Sequence, residues 1–202
     1  MTIDLLPGRG VGLPAPLPEL RFGLTEAEVR ALLAPHAGLL PDGVRSTFVC
    51  GCSWALAFEL PGVSVTLGAD DHDRLHSVSV GRNPSDDRPA CPVGYHGIDL
   101  LGRPAHELVE ALRAEGLPVP DPGGGNLRHG ALFLHRAPGP RRLPPAPGRK
   151  PRREKPFAFD YASLSAPAEQ DAPTGQGSPT GHEAPAEHDA PTGHHAPAEA
   201  AE

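Results

Sequence analysis

Cysteine and histidine residues in the first half of the chain are the first candidates for chemistry. Cys50 and Cys52 lie two residues apart. Further side chains of metal-binding type follow at His72, His76, Cys91 and His96. Structural zinc sites favour cysteine pairs with about two to four residues between them, whereas this chain has one Cys-x-Cys pair and a separate Cys. Residues two apart on a strand share a face, so the pattern favours packing in the core; a metal site and redox use are the alternatives.

An acidic stretch and a glycine-rich stretch are more typical of turns and loops than of ligand sites. "GADDHD" at 68–73 places three carboxylates beside His72, and Asp is favoured in turns because it bonds the local backbone. Calcium loops spread their ligands over about 12 residues, which this stretch does not do. "GGGN" at 123–126 lacks the Lys-Ser/Thr and the helix of a phosphate loop. The sequence has no G-x-S-x-G motif and no marked nucleophile–His–acid arrangement, so we expect no catalytic residue, no cofactor and no enzymatic activity.

A basic, proline-rich segment at 136–155 is the strongest candidate for a contact surface. It holds eight of the 18 Lys and Arg residues of the chain. Its prolines exclude a recognition helix, and it has no aromatic side chain to stack on bases, so nucleic acid is disfavoured. We expect its charges to contact an acidic partner; contact with the acidic tail of the same chain and a solvated loop without a partner are the alternatives. The candidate contact residues are Arg141, Arg142, Arg149, Lys150, Arg152, Arg153 and Lys155.

Two similar helix starts lie 79 positions apart. In "GLTEAEVRALL", Thr25 is an N-cap with Glu28 three residues later, which predicts a capping box and a helix over about 25–34. In "GRPAHELVEAL", Pro104 stands where a first helical residue is tolerated, and Gly116 marks the end of a second helix.

Alternating apolar residues predict antiparallel strands after each helix. The first helix is followed by strand patterns at 54–60, 63–67 and 74–80, which predict a meander. The second is followed by one strand at 128–136 and another at 156–164. Each half alone has too few strands to bury its own face, whereas two copies side by side could share a core.

We therefore expect an α+β fold of two tandem helix–antiparallel-strand repeats, forming one sheet with both helices packed on one face. The predicted domains are an extended lead-in at 1–19, a first repeat at 20–96, a second repeat at 97–165 that contains the basic loop 136–155, and a disordered tail at 166–202.

The tail is a tandem hexapeptide with proline at every sixth position. From residue 166 onward it contains seven acids and no Lys or Arg, while the part before it has 18 acids and 18 cations. Ala is the only apolar side chain available, so burial cannot offset the entropy lost on ordering, and we expect disorder with polyproline II character. His182, His188 and His194 recur in phase, but a step of six residues spans about 19 Å in that conformation, which disfavours a shared metal.

Targeting signals are absent from the sequence as it stands. "MTIDLLPGRG" has neither the basic nor the apolar region of a secretory signal, and no run of about 18 apolar residues occurs. Three cysteines in such a chain favour a reducing compartment. We expect a cytoplasmic protein with no membrane partner.

The same stretches carry a resemblance to known proteins. "PGRGVG…RFGLTEAEVRALL", "GIDLLGRPAHELVEAL", "ALFLHR" and "PFAFDYASLS" resemble uncharacterised bacterial proteins over most of the chain before the tail. The G-x-T-x-x-x-V-x-x-L-L pattern is similar to the helix start of BamE/SmpA proteins. The tandem helix-plus-strands plan resembles β-lactamase inhibitor proteins, which implies a non-catalytic binder of another protein.

We expect a non-enzymatic protein-binding module, immunity- or inhibitor-like, that uses its sheet face. The alternative is a small metal-binding protein or metal-dependent enzyme built on the Cys and His residues at 50–96.

Overall fold

A computed structural model describes residues 1–83, 91–120, 125–136 and 157–167. In these ranges the chain is an α+β protein with two α-helices and two sheets. The helices are α1 (Glu26–Leu33) and α2 (Ala105–Ala114). The strands are β1 (Ile3–Leu6), β2 (Gly10–Gly12), β3 (Glu19–Arg21), β4 (Arg45–Ser46), β5 (Ala55–Leu60), β6 (Val63–Ala69), β7 (Leu75–Arg82), β8 (Val93–Tyr95), β9 (Ile98–Asp99), β10 (Asn126–His129), β11 (Leu132–His135) and β12 (Tyr161–Ser165).

The N-terminal residues form a sheet, which corrects the expectation of an extended lead-in at 1–19. The five-stranded sheet has the order β3-β2-β1-β8-β9, with β1 antiparallel to β2 and parallel to β8. Ile3, Leu5, Val11 and Leu20 are all buried. Apolar residues alternate in this segment, which favours short strands. The glycines and prolines, which suggested an irregular chain, lie in the tight turns that connect these strands.

The larger sheet has seven strands in the order β10-β11-β12-β7-β6-β5-β4, and every neighbouring pair is antiparallel. Strands β4 to β7 form the meander that the sequence predicts after the first helix. Strands β7 and β12, the last strands of this sheet that follow α1 and α2, meet at the centre, where Ser79 pairs with Ser163. The strands predicted after the two helices thus lie in one sheet, whereas the separate five-stranded sheet, in which β1 pairs with β8, was not predicted.

One face of the seven-stranded sheet carries the core. Alternate residues of its strands are buried, including Phe58, Val65, Val78 and Leu164. Apolar residues of both helices and of the smaller sheet belong to the same hydrophobic cluster. Residues Met1–Glu169 therefore form one compact unit. The domain boundary predicted between residues 96 and 97 lies in the turn between the paired strands β8 and β9.

Helix α1 begins as the sequence predicts. The Thr25 side chain accepts a hydrogen bond from the Glu28 amide at 3.3 Å, and the Glu28 carboxylate accepts one from the Thr25 amide at 2.8 Å. This Thr25 amide bond is the main reason why the pKa of Glu28 lies below its usual value. The chain continues beyond α1 as a short 3₁₀ helix over Ala34–Leu39, which contains Pro35.

Helix α2 begins after Pro104, so the two N-caps, Thr25 and Pro104, are separated by the same 79 positions as the two sequence patterns. The buried residues Val29 and Leu33 of α1 lie 79 positions before Leu108 and Leu112, which are buried in α2.

The stretch predicted as one strand at 128–136 is a hairpin of β10 and β11. Gly130 has a positive φ of 54° and lies between the two strands, so the chain reverses there. The strand predicted at 156–164 begins later, at Tyr161, while Ala158 forms an isolated bridge with Pro104. The tail, apart from Ala166 and Pro167, lies outside the described residues.

Candidate binding surface

The second face of the seven-stranded sheet, called the polar face below, is lined by small and polar residues. Successive cross-strand pairs join residues into rows that run across it. The central row is Arg45, Ala57, Thr66, Ser79, Ser163, Phe133 and Arg128. The next row is Glu59, Ser64, Gly81, Tyr161, His135 and Asn126. The side chains between the two edges thus come from both halves of the chain.

The centre of the polar face carries short side chains. Ser79 and Ser163 are half-buried, and their hydroxyl groups hydrogen-bond to each other across β7 and β12 at 3.1 Å. The Tyr161 ring lies beside Gly81, where an added Cβ would meet its Cδ2 at 3.4 Å. A glycine next to an aromatic ring on a strand leaves room for that ring to lie against the sheet.

Aromatic and charged groups surround this centre. Phe133 and His135 stack with ring centroids 6.2 Å apart, and the His135 ring also contacts the Asn126 side chain. On the opposite side Arg45 forms an ion pair with Glu59 at 2.9 Å. Arg128 is exposed and makes no ion pair with any residue in the described ranges.

The groups on this face are suited to contact with a partner. Serine and threonine hydroxyls can each donate and accept hydrogen bonds, and aromatic rings offer apolar area. Short side chains lose little rotamer entropy when a partner covers them. Tyr and Phe are enriched at protein interfaces, and Tyr, Ser and Gly are enriched in antibody paratopes, so the composition of this face suits contact with a protein.

The Cys and His residues do not assemble a metal centre in the described ranges, where no group of three or more His, Cys, Asp or Glu side chains could hold a metal ion. The strand interpretation of Cys50 and Cys52 was wrong, because both lie in the loop between β4 and β5, with Cys50 exposed and Cys52 half-buried. Cys91 is buried, its thiol lies 3.5 Å from the Met1 carbonyl oxygen, and burial raises its pKa.

The acidic stretch forms a hairpin turn, as the sequence predicts. The Asp70 carboxylate accepts hydrogen bonds from the amides of His72 at 2.9 Å and Arg74 at 3.0 Å. The Arg74 amide is the main cause of the lowered pKa of Asp70. The carboxylate thus stabilises the turn between β6 and β7, as Asp commonly does at such positions.

The seven candidate contact residues of the basic segment, from Arg141 to Lys155, lie outside the described residues. The chain leading to this segment and returning from it is described. His135 pairs with Tyr161 at the ends of β11 and β12. The Arg136 guanidinium carbon lies 4.8 Å from the centre of the Phe157 ring, a cation–π contact that brings the two ends of the segment together.

Strands β5 to β7 were predicted from the sequence, as was binding through a sheet face, but the residues of the polar face were not. Ser79 and Ser163 are 84 positions apart, and their pairing depends on which strands meet at the centre of the sheet. Apolar residues at every second position identify the buried face of a strand. The residues between those apolar positions therefore identify the opposite, polar face.

No helix in the described ranges is long and apolar enough to cross a membrane. Comparisons with protein-family models, with curated proteins and with solved structures find no match to this chain.

Proposed function

We propose that this chain is a non-enzymatic module that binds another protein through the polar face of its seven-stranded sheet. The observation that carries the proposal is the composition of that face. Its centre consists of Thr66, Ser79, Ser163 and Gly81, and Tyr161 and the stacked pair of Phe133 and His135 lie beside them. A partner can approach such a centre closely and find hydrogen-bonding groups and aromatic area together.

The dimensions of the sheet support a contact of modest size. Seven strands about 4.8 Å apart span about 29 Å, and the two rows of outward residues cover roughly 10 Å along the strands. The resulting area of roughly 300 Å² is smaller than the ~800 Å² that each partner usually contributes to a stable complex. Segments beside the face must therefore contribute to the contact.

The basic segment at 136–155 is the neighbouring segment that we assign to this role, and an acidic protein is the partner it favours. Its ends leave β11 and return to β12 beside His135 and Tyr161, which belong to the polar face. Arg128 adds an unpaired positive charge at the same edge, among the described residues. The proposed contact residues are Arg141, Arg142, Arg149, Lys150, Arg152, Arg153 and Lys155.

We further propose that the chain contains a tandem repeat of a helix followed by antiparallel strands. The matching N-caps, the matching buried positions in α1 and α2, and the central pairing of β7 with β12 support it. The chain near each helix start also hydrogen-bonds near one of these two strands: the Leu75 amide donates to the Leu24 carbonyl oxygen at 2.7 Å, and the Ala105 amide donates to the Phe157 carbonyl oxygen at 2.7 Å. The polar face would then be assembled from equivalent strands of two copies.

An inhibitor- or immunity-like role in the cytoplasm fits this plan, since three free thiols suit a reducing compartment. The competing proposal is metal binding by the Cys and His residues at 50–96. Elemental analysis of protein purified without an affinity tag separates them, because one zinc per chain would favour the competing proposal.

Replacing Ser163 with arginine is expected to abolish partner binding while preserving the fold. The side chain at 163 lies at the centre of the polar face, so a long charged group there would hold a partner away from the sheet. The measurement is affinity capture from lysate with the immobilised full chain, followed by mass spectrometry of the retained proteins. A protein retained by the wild type and lost with S163R would support the proposed surface.

Ala114→Arg is the matched control, because it adds the same charge at an exposed position near the end of α2. It should retain the same protein as the wild type, and circular dichroism should show all three chains folded. Equal capture by S163R, or capture of nothing by the wild type, would contradict binding through the polar face.

Neutralising Arg149, Lys150, Arg152 and Arg153 together is expected to weaken the captured complex without unfolding the chain. Exposed charges act over a Debye length of about 10 Å at 0.1 M salt and about 3 Å at 1 M salt. The wild-type complex should therefore weaken as salt rises, whereas binding of the quadruple Gln variant should change little. Equal affinity of the two chains at low salt would remove the basic segment from the interface.

A further inference from the structure

The loop between β4 and β5 brings two thiols together in a tight turn. The Cys52 amide donates a hydrogen bond to the Val49 carbonyl oxygen at 3.1 Å, so Cys50 and Gly51 are the central residues of the turn. Gly51 has a φ of 81°, which is the conformation that a type II turn requires at its third residue and that favours glycine. The turn thus places Cys50 and Cys52 on either side of a glycine suited to the bend.

The two thiols have different surroundings. Cys50 is exposed, while the Cys52 sulfur lies over β6, so close to Gly68 that an added Cβ there would approach it to 2.7 Å. Burial raises the pKa of the Cys52 thiol, and the nearby Cys50 thiol contributes to the increase. The exposed thiol is therefore accessible to a reagent from solution, and the half-buried thiol lies close to it.

The backbone allows a bond between these thiols. Disulfides form when the two Cα atoms are about 4.4–6.8 Å apart. Two residues of extended chain span at most about 7 Å, and a turn shortens that distance. Such a short loop produces a strained and exposed disulfide, and disulfides of this kind are easily reduced.

We propose that Cys50 and Cys52 are a reversible thiol–disulfide site that reacts with low-molecular-weight disulfides. The Cys50 thiolate attacks one sulfur of the reagent, forms a mixed disulfide and releases one small thiol, which takes up the proton that Cys50 lost. The Cys52 thiolate then attacks the Cys50 sulfur, closes the protein disulfide and releases the second small thiol with the proton from Cys52. The protein loses two electrons and two protons, and the reagent gains both.

The site lies at one end of the polar face but does not depend on partner binding. Cys52 and the Ser77 hydroxyl approach Gly68 together, and Phe48 in the same loop is 87 % exposed. Cys91 is the internal reference, because its burial keeps it from the reagent while the chain is folded.

The test equilibrates the full-length reduced chain in glutathione buffers of increasing oxidised fraction, followed by acid quenching, alkylation and mass spectrometry of tryptic peptides. Peptide 46–74 contains Cys50 and Cys52, and peptide 83–113, in which two Arg-Pro bonds resist trypsin, contains Cys91. We expect peptide 46–74 to lose the mass of two hydrogen atoms in oxidising buffer and to regain it with dithiothreitol. Peptide 83–113 should stay fully alkylated.

Single-residue variants test the order of the steps. Cys52→Ser should accumulate one glutathione on Cys50, because no second thiol can release it, and Cys50→Ser should react more slowly through the half-buried Cys52. Cys91→Ser should behave as the wild type. The proposal fails if peptide 46–74 stays reduced in every buffer, if it ends with two bound glutathiones, or if the oxidised product is a dimer between chains.

Discussion

Gly10→Ala is expected to destabilise the folded chain by about 3 kcal/mol or more. Gly10 has a φ of 131°, and a Cβ added there would overlap the carbonyl oxygen of Leu20 in the paired strand β3. A non-glycine residue in such a conformation costs about 1–3 kcal/mol, and a steric overlap with rigid backbone adds a similar amount. Urea unfolding of the wild type and the variant, followed by circular dichroism, measures the difference.

Gly8→Ala is the matched control in the same hairpin. Gly8 also has a positive φ, of 69°, but an added Cβ there would contact nothing within 4 Å. The left-handed conformation costs alanine about 1–2 kcal/mol, and the loss of unfolded-state entropy returns about 0.4–1 kcal/mol. G8A should therefore lose no more than about 1.6 kcal/mol. If both variants unfold at the wild-type urea concentration, residues 1–21 are not part of the folded sheet.

Comparing the stabilities of G10A and G8A distinguishes a folded N-terminal sheet, as in the structure, from the extended lead-in predicted from the sequence. Gly and Pro are abundant at 1–19, and local propensity correctly disfavours long regular strands there. Strands of three or four residues can still form when a neighbouring strand supplies hydrogen bonds, as β8 does for β1. That pairing joins Ile3 to Val93, and no local pattern in the sequence encodes it.

The helices and the meander were predictable because their signals are local. Thr25 and Glu28 form the capping box that their spacing indicates. Val63 and Val65 are buried, with Ser64 between them only half-buried, so a period of two identified that strand and its buried face. In contrast, the pairing of β12 with β7 depends on long-range packing. The polar face that this pairing creates could therefore not be predicted from local sequence patterns.

The cysteine loop shows how one local pattern can have two outcomes. A Cys-x-Cys pair on a strand puts both thiols on one face, whereas the same pair around Gly51 lies in a turn. The glycine between the cysteines was the available signal, since Gly is favoured where a turn needs a positive φ. The sequence therefore identified the reactive residue types, and the turn determined which thiol is exposed.

Leu33→Ala and Leu112→Ala are expected to destabilise the chain by similar amounts, about 2–5 kcal/mol each. Both side chains are completely buried in the shared hydrophobic cluster, one in each helix and 79 positions apart. Removing such a side chain loses its transfer free energy and leaves a cavity that the surroundings fill only in part. The urea midpoint and slope of each single variant give the cost, and a similar slope would show that the same cooperative unit unfolds.

Leu32→Ala provides the control, because Leu32 has the same chemistry in the same helix but is 39 % exposed. It should cost clearly less than L33A, since a partly exposed leucine buries less apolar area and its removal opens no closed cavity. If L112A lowers the free energy of unfolding no more than L32A does, α2 does not stabilise the core as α1 does. The proposed repeat would then lose its energetic support. If L33A and L112A are both costly, each helix stabilises the sheet whose opposite face carries Ser79 and Ser163, so neither half could present that face alone.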